Sequence, residues 1–435
     1  MSPWYNICIW SSGKAAPCDP FQDQFSVDQY DTWFQSGDIP TQVRTAMQQG
    51  NPVDSCRRCY DAESKNIISF RERFNIQAGV HQGQWFNESL EQSPAWSRMQ
   101  SINLTPKQKP MFISVTFDNE CQSACRMCQP QYSSTVADLW KTLGIDQYEK
   151  TAVGFDFNAP SRQRWDLDNK KYKSLTNLVF NNPDLIYLKI GGGEPFSQQA
   201  VRQFIQDCID NNATNVALYI TTNGTVYDES FINLLKKFKN VMIDLSIEGF
   251  HPTNDYIRIG SSYKQVRENI LKFCEHRSPQ FEVKIHTLPQ LLSVEHYDTA
   301  IDFCLEYNLP LYGNPLFKPR HFMMELLPYH HKQRLKKKFT DLYNLVDTTN
   351  LSAVQQVNFN SPELNKKTNG TTPTITNQLI KMIHALDSED QPEYEQYRKD
   401  FVHYTKLYDQ HFNVNFVEYY PELEDFYNEY SNHRI

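Results

Sequence analysis

The alternation of short β-rich runs with amphipathic helical stretches over residues 111–317 most constrains how this chain can fold. Six runs carry the β-branched and aromatic residues of buried strands: MFISVTFD, LIYLKI, VALYITT, VMIDLSI, FEVKIHTL and LPLYGN. Helical patterns such as SQQAVRQFIQDCID and YKQVRENILKFCEH separate most of them. Repeated βα units predict an α/β fold with a parallel sheet and helices outside it. Six units favour an open or partial barrel over a closed barrel of eight strands.

In each predicted strand one set of alternate residues is polar, and we call this set the polar register. Because side chains alternate between the two faces of a strand, the residues of this register share a face. An ordinary α/β barrel fills its interior with branched apolar side chains, and a polar interior is costly unless it binds something. We therefore expect this face to line a ligand site, with Tyr219, Lys284 and His286 as candidate catalytic residues. An antiparallel sheet with one solvated face is the alternative, and the intervening helices argue against it.

Length and composition limit the organisation and the partners of the chain. Its 435 residues suit two or three domains, predicted as an irregular 1–105, a barrel at 106–320 and a mostly helical 321–435. A net charge of −8 argues against a nucleic-acid partner. The sequence contains no run of 18 consecutive apolar residues, so we expect no membrane-spanning helix. Its first residues also lack the pattern of a secretory signal. We expect a cytoplasmic protein, in which ten cysteines are metal ligands or core residues rather than disulfides.

Three cysteines follow directly on the first barrel strand, in NECQSACRMCQP: Cys121, Cys125 and Cys128. The loop at the C-terminal end of a strand is where α/β barrels build their sites. Structural zinc sites have four protein ligands, usually in paired CxxC units. Three cysteines on one loop without a nearby fourth suit an iron–sulfur cluster with one iron left open to a chelating small molecule.

The CxxxCxxC spacing at this position resembles that of the radical S-adenosylmethionine (radical SAM) enzymes. The resemblance implies a partial (β/α)6 TIM-like barrel whose three cysteines hold a [4Fe–4S] cluster. It also implies that S-adenosylmethionine chelates the open iron through its amino and carboxylate groups. One electron, from a reductant such as flavodoxin or ferredoxin, then cleaves the sulfonium. The resulting 5′-deoxyadenosyl radical takes a hydrogen atom from the substrate.

Further segments at the next strand ends, over about residues 110–320, are similar to those of the family. GGGEP matches its GGEP motif, TTNGT and SIEG are similar to later segments, and HPTNDYIR follows SIEG. Glu248 replaces the usual aspartate, and Met127 stands where many relatives carry an aromatic residue. By this resemblance the cofactor-binding residues are Gly192, Gly193, Glu194, Asn223, Ser246, Glu248, Arg258 and Met127.

A second group of four cysteines lies in the first 60 residues: Cys8, Cys18, Cys56 and Cys59. Four cysteines with one CxxC pair suit zinc or a [4Fe–4S] cluster. The layout, with Gly13 five residues before Cys18, resembles the auxiliary-cluster domains called SPASM or twitch. Those domains usually follow the barrel, whereas this one precedes it. The resemblance implies a second [4Fe–4S] cluster that accepts an electron, binds substrate or supports the fold, with zinc and unligated structural thiols as alternatives.

Three functions fit these patterns. The first is a radical SAM enzyme that oxidises, crosslinks or epimerises a peptide or protein side chain with help from an auxiliary cluster, as SPASM and twitch relatives often do. The second applies the same chemistry to a small molecule such as an amino acid, sugar or nucleotide derivative. The third is a non-enzymatic zinc protein, which would bind no cofactor and be colourless.

Overall fold

A computed structural model gives the fold. It describes residues 6–18, 21, 23–57, 59–60, 109–145, 158, 160–165, 170–180, 182–348 and 374–431.

A nine-stranded sheet forms the centre of this described part. Its strands are β1 (Asn6–Ile9), β2 (Lys14–Ala16), β3 (Phe25–Ser26), β4 (Phe112–Val115), β6 (Tyr187–Ile190), β7 (Ala217–Thr222), β8 (Asn240–Ser246), β10 (Phe281–Thr287) and β11 (Leu311–Gly313). Two short strands, β5 (Ala124–Cys125) and β9 (Arg258–Ile259), pair separately. The order is β11-β10-β8-β7-β6-β4-β1-β2-β3, and the pairs from β11 to β1 are all parallel. The six predicted strands therefore form one open parallel sheet, which confirms the partial α/β barrel.

Helices follow most of the parallel strands. Those of the N-terminal and barrel regions are Tyr30–Ser36, Asp38–Gln48, Ser134–Leu143, Lys170–Phe180, Gln199–Asp210, Glu229–Leu235, Pro252–Ile257, Tyr263–Cys274 and Asp298–Tyr307. In Gln199–Asp210 the stripe Val201, Phe204, Ile205 and Cys208 is fully buried. Cys304 is also fully buried and Cys274 is half-buried, so all three isolated cysteines pack at core-facing positions.

The N-terminal strands extend the barrel sheet. β1 pairs in parallel with β4, with Cys8 opposite Ser114, and β2 and β3 continue the sheet in antiparallel order. The sequence analysis expected an irregular region here, because the run NICI is too short for a periodic pattern to show. All four residues of that run are buried, which explains why it joins the sheet. The bounds 1–105, 106–320 and 321–435 stay predictions, and residues 61–108 lie outside the described part.

The region after the barrel is helical, as expected. Its helices are Tyr329–Thr348, Thr374–Leu386, Tyr394–Phe412, Phe416–Tyr419 and Glu424–Ser431. Phe401, Phe416 and Phe426 are fully buried and belong to the same apolar core as the barrel strands. Within the residues described, no helix has the length and apolar character needed to cross a bilayer.

Candidate active site

The three cysteines of the predicted cluster lie on the loop that follows β4. Cys125 and Cys128 stand at the two ends of a tight turn, in which the Cys128 N–H donates to the Cys125 carbonyl at 3.0 Å. Ser133 begins the following helix: its hydroxyl accepts from the Val136 N–H at 3.3 Å and donates to the carbonyl of Ser123. These contacts hold the conformation of the loop that carries the three thiols.

Two side-chain donors point at the sulfur atoms of this loop. Asn223 Nδ2 lies 3.7 Å from Cys121 Sγ, and Arg258 Nη1 lies 3.9 Å from Cys125 Sγ. Burial raises the pKa of Cys121 to about 12 and raises the pKa of Cys125 and Cys128 as well. Free thiolates are therefore disfavoured here, and a metal group would have to displace the protons. N–H donors directed at cysteine sulfur are typical of iron–sulfur sites, so the residues present fit the predicted [4Fe–4S] cluster.

The GGGEP loop lies directly against the cysteine loop. Gly192 and Gly193 have φ angles of +81° and +59°, which favour glycine. A Cβ on Gly193 would lie 2.3 Å from the Glu120 carbonyl oxygen, and one on Gly192 would lie 2.3 Å from Thr116 Cγ2. Gln198, which the sequence analysis missed, donates from Nε2 to the Gly192 carbonyl at 3.1 Å and to the Glu120 carbonyl at 3.3 Å. No sequence pattern indicates that this residue connects the GGGEP loop to the cysteine loop.

Glu194 joins the GGGEP loop to the end of β7. Its buried carboxylate accepts from the Thr222 hydroxyl at 2.6 Å, from the Asn223 N–H at 2.7 Å and from the Phe196 N–H at 3.0 Å. Burial raises the pKa of the Glu194 carboxyl to about 6, although these hydrogen bonds work to lower it. Glu194 thus joins the two loops, and its role in cofactor binding stays a prediction.

The other predicted cofactor residues surround the same strand ends. Arg258 Nη2 donates to Glu248 Oε1 at 2.6 Å, and the Leu288 N–H donates to Glu248 Oε2 at 2.9 Å. Both side chains of this ion pair are nearly buried, at 10% and 0% exposure. Ser246 is half-buried at the end of β8, and Met127 is buried in the apolar core behind the cysteine loop. Glu248 and Arg258 therefore form one rigid unit beside Cys125.

The barrel interior brings together the three candidate catalytic residues. The Lys284 ammonium lies 4.5 Å from the centroids of the Tyr219 and Tyr312 rings. On the same strand, His286 Nδ1 lies 3.2 Å from Asp244 Oδ2. Burial works to raise the pKa of Asp244, but His286 and Lys284 hold it well below its usual range. The predicted polar register thus forms a connected group of charged and phenolic side chains.

A buried ion pair connects the cysteine loop to the C-terminal helices, and the sequence analysis did not foresee it. Arg126, between the second and third cysteines, donates from Nη2 to Asp409 Oδ1 at 2.6 Å. Its guanidinium carbon lies 3.8 Å from the Tyr256 ring centroid, and the Tyr256 hydroxyl also donates to Asp409 at 2.7 Å. A charged residue inside an otherwise buried motif was the one available signal, and nothing in the sequence pointed to Asp409.

The second cysteine group is buried in the N-terminal region, at 6–9% exposure: Cys8, Cys18, Cys56 and Cys59. Gly13, at φ +74°, makes the tight turn between β1 and β2, which brings Cys8 opposite Ala16. The Ser55 hydroxyl donates to Asp23 at 3.1 Å and thereby ties the CxxC turn to the loop after Cys18. The two halves of the predicted auxiliary site are thus joined, while its metal stays a prediction.

Comparisons with known proteins identify the middle of the chain. Residues 115–304 match the family model described as the Radical SAM superfamily. No curated protein sequence matches the chain. Among solved structures it is similar to Streptococcus suis SuiB bound to S-adenosylmethionine, at 15% identity and a TM-score of 0.35 over 74% of this chain and 65% of SuiB. It is also similar to native anSMEcpe with bound AdoMet, at 16% identity and a TM-score of 0.38 over 55% of this chain and 63% of that one.

A third similar structure is SuiB bound to its precursor peptide SuiA, at 13% identity and a TM-score of 0.36 over 86% of this chain and 81% of that chain. In the first two comparisons the chain spans slightly less than two thirds of the other protein's length, at 65% and 63%. The matched family range contains all three cysteines of the β4 loop and every predicted cofactor-binding residue.

Proposed function

We propose that this chain, which carries a radical SAM domain in residues 115–304, is a radical SAM enzyme that abstracts a hydrogen atom from a peptide or protein side chain. The observation that carries this proposal is the convergence of Cys121, Cys125 and Cys128 with the Gly193 cradle and the Asn223 donor at one edge of the sheet. When bound, the [4Fe–4S] cluster and S-adenosylmethionine supply an electron and the 5′-deoxyadenosyl radical.

The residues of the chain have separate tasks at this site. The three cysteines hold the cluster, and Asn223 and Arg258 donate toward their sulfur atoms. Because Arg258 is oriented by the buried Glu248 carboxylate, its remaining buried donor, Nε, has a fixed direction. Nε has no acceptor within the described residues, so it is available to a carboxylate such as that of methionine.

The substrate enters the barrel interior, where polar side chains lie below the cofactor residues. Tyr219, Lys284 and His286 are the groups of this chain that can exchange a proton or orient the substrate. The charged lining also favours a second candidate, the same chemistry on a small charged molecule, because a charged interior suits a charged ligand better than an apolar peptide.

The four N-terminal cysteines are proposed to hold a second [4Fe–4S] cluster. Support comes from their burial and from the Ser55–Asp23 contact that joins the two halves of the group. Complete ligation by four cysteines suits an electron-accepting or structural role better than direct substrate binding. Zinc is the competing metal, and elemental analysis separates the two.

The decisive experiment uses the anaerobically purified protein with dithionite and S-adenosylmethionine. The protein should be brown, contain about eight irons per chain if both clusters form, and release 5′-deoxyadenosine. Changing Cys121, Cys125 and Cys128 together to alanine should abolish this release, whereas Cys274→Ala, a half-buried cysteine outside both groups, should retain it. Persistent release in the triple variant, or a colourless protein that contains only zinc, would rule out the assignment.

A second variant isolates the auxiliary site. Changing Cys56 and Cys59 to alanine should remove about half of the iron and leave substrate-free cleavage of S-adenosylmethionine intact. Full iron retention in this variant would show that these cysteines hold no cluster.

A further inference from the structure

Lys189 lies in the barrel interior without a carboxylate in direct contact among the described residues. It is half-buried on β6, and its ammonium lies 5.1 Å from the centroid of the Tyr219 ring on β7. Within the residues that the structure describes, it forms no ion pair. Asp244 acts on the Lys189 ammonium only from beyond ion-pair distance, so its N–H donors are left for a ligand to engage, and burying a donor without an acceptor is costly.

A second donor lies on the neighbouring strand. Lys189 and Tyr219 are register partners, and Thr221 comes two residues after Tyr219, so its side chain shares the interior face. The Thr221 hydroxyl oxygen is buried and has no hydrogen-bond partner among the described residues. A buried hydroxyl without a partner is uncommon in folded proteins and indicates a missing ligand or water.

The surrounding charges select the kind of anion. Asp244 Oδ2 already lies 3.2 Å from His286 Nδ1. Glu282 is two residues before Lys284 on β10, on the same face of the strand. These two carboxylates offset much of the positive charge of Lys189 and Lys284. The interior therefore favours a monoanion that accepts two hydrogen bonds, and a dianionic phosphate would meet like charges.

We propose that Lys189 and Thr221 bind a carboxylate of the substrate. This inference rests on the proposed radical SAM function and names the substrate class within it. The carboxylate is either an acidic side chain of a peptide or the acid group of a free small molecule, and both present the same two oxygens. Thr221 lies two residues before Asn223, whose amide points at Cys121. A carboxylate held at Thr221 thus places the rest of the substrate toward the cluster loop.

Titration calorimetry on the anaerobic, cofactor-loaded enzyme tests the proposal. The probes are glutarate and a doubly capped pentapeptide with one central glutamate, each paired with its amide counterpart, glutaramide or the glutamine peptide. At least one acid should bind, and its amide counterpart should not. Lys189→Gln should weaken acid binding about tenfold or more, and Thr221→Val about threefold. Lys237→Gln, an exposed lysine outside the barrel, is the matched control and should change nothing.

The pattern of binding identifies the source of the carboxylate. Binding of glutarate favours a free acid, and binding of the peptide alone favours an acidic peptide. The proposal is overturned if neither acid binds, if the amides bind as well as the acids, or if Lys189→Gln binds the acid as tightly as the wild type. Release of 5′-deoxyadenosine by the same wild-type preparation distinguishes a failure of the carboxylate site from a failure of the proposed function. If no 5′-deoxyadenosine is released, the proposed function is refuted whatever the calorimetry shows.

Discussion

Changing Asp409 to alanine should destabilise the protein strongly, although Asp409 lies far from the cysteines in sequence. Its Oδ1 accepts from Arg126 at 2.6 Å and from the Tyr256 hydroxyl at 2.7 Å, and its Oδ2 accepts from the Phe416 N–H at 2.7 Å. The side chains of the ion pair are 1% and 10% exposed. Alanine would leave the Arg126 charge buried without its counter-charge.

The structure sets the expected size of this effect. Breaking a buried ion pair by removing one partner typically costs about 3–5 kcal/mol, and we expect about 4 kcal/mol for Asp409→Ala. The exposed pair of Lys337 and Asp341, at 79% and 62% exposure, is the control. Asp341→Ala should cost less than about 0.5 kcal/mol, because solvent screens that pair.

Denaturant unfolding under anaerobic conditions, with iron content measured in parallel, checks this prediction. Asp409→Ala should also lose iron from the β4 loop, because Arg126 stands between two of its cysteines. The double change Arg126→Met with Asp409→Leu should recover most of the stability, since it removes both buried charges. A loss below about 1 kcal/mol in Asp409→Ala, or a loss equal to that of Asp341→Ala, would refute the reasoning.

Two further predictions concern the GGGEP loop and the C-terminal core. Gly193→Ala should abolish stabilisation of the protein by S-adenosylmethionine in thermal unfolding, because its Cβ would lie 2.3 Å from the Glu120 carbonyl oxygen; Gly191→Ala, with no atom within 4 Å, should retain it. Burial, with His403 nearby, lowers the pKa of His321 to about 3. The folded state therefore resists its protonation, and stability should fall by up to about 1.4 kcal/mol per unit as pH drops below about 6.5. His321→Phe should flatten this dependence in unfolding measured between about pH 7 and pH 5, whereas the exposed His411→Gln should not; equal slopes in all three proteins would contradict the prediction.

The parts of the fold that carry a local sequence signal were predicted correctly. The six barrel strands are apolar runs bounded by helices, and burial on the helix side makes that pattern strong. Tyr219, Lys284 and His286 of the polar register lie in one group of side chains, while their catalytic role stays a prediction. The GGGEP loop was identified by its resemblance to the GGEP motif, and its Gly193 has a positive φ and a close neighbour that favour glycine.

Features that depend on contacts between distant residues escaped prediction. Arg126 and Asp409 are 283 positions apart, and a single long-range ion pair leaves no periodic pattern in a sequence. The same holds for Gln198, which reaches back 78 positions to the Glu120 carbonyl. β1 is four residues long, too short for its alternation to be distinguished from a buried loop. Its place in the sheet follows from pairing with β4, which only the folded chain shows.

The barrel strands place the proposed cofactor and substrate residues at different depths on one face. Asn223 and Ser246 stand two residues further along their strands than Thr221 and Asp244, which are register partners, and Lys284 is the partner of Asp244 on β10. Two residues of strand span about 6.6 Å, so one layer can meet the cofactor while the next meets the substrate. Since the upper layer is tied to the cysteines by Asn223 and Arg258, changes in the lower layer can alter substrate choice without disturbing the cluster loop. If the proposed roles hold, a few interior side chains set the substrate, and the contacts of the cluster loop stay unchanged when those side chains are replaced.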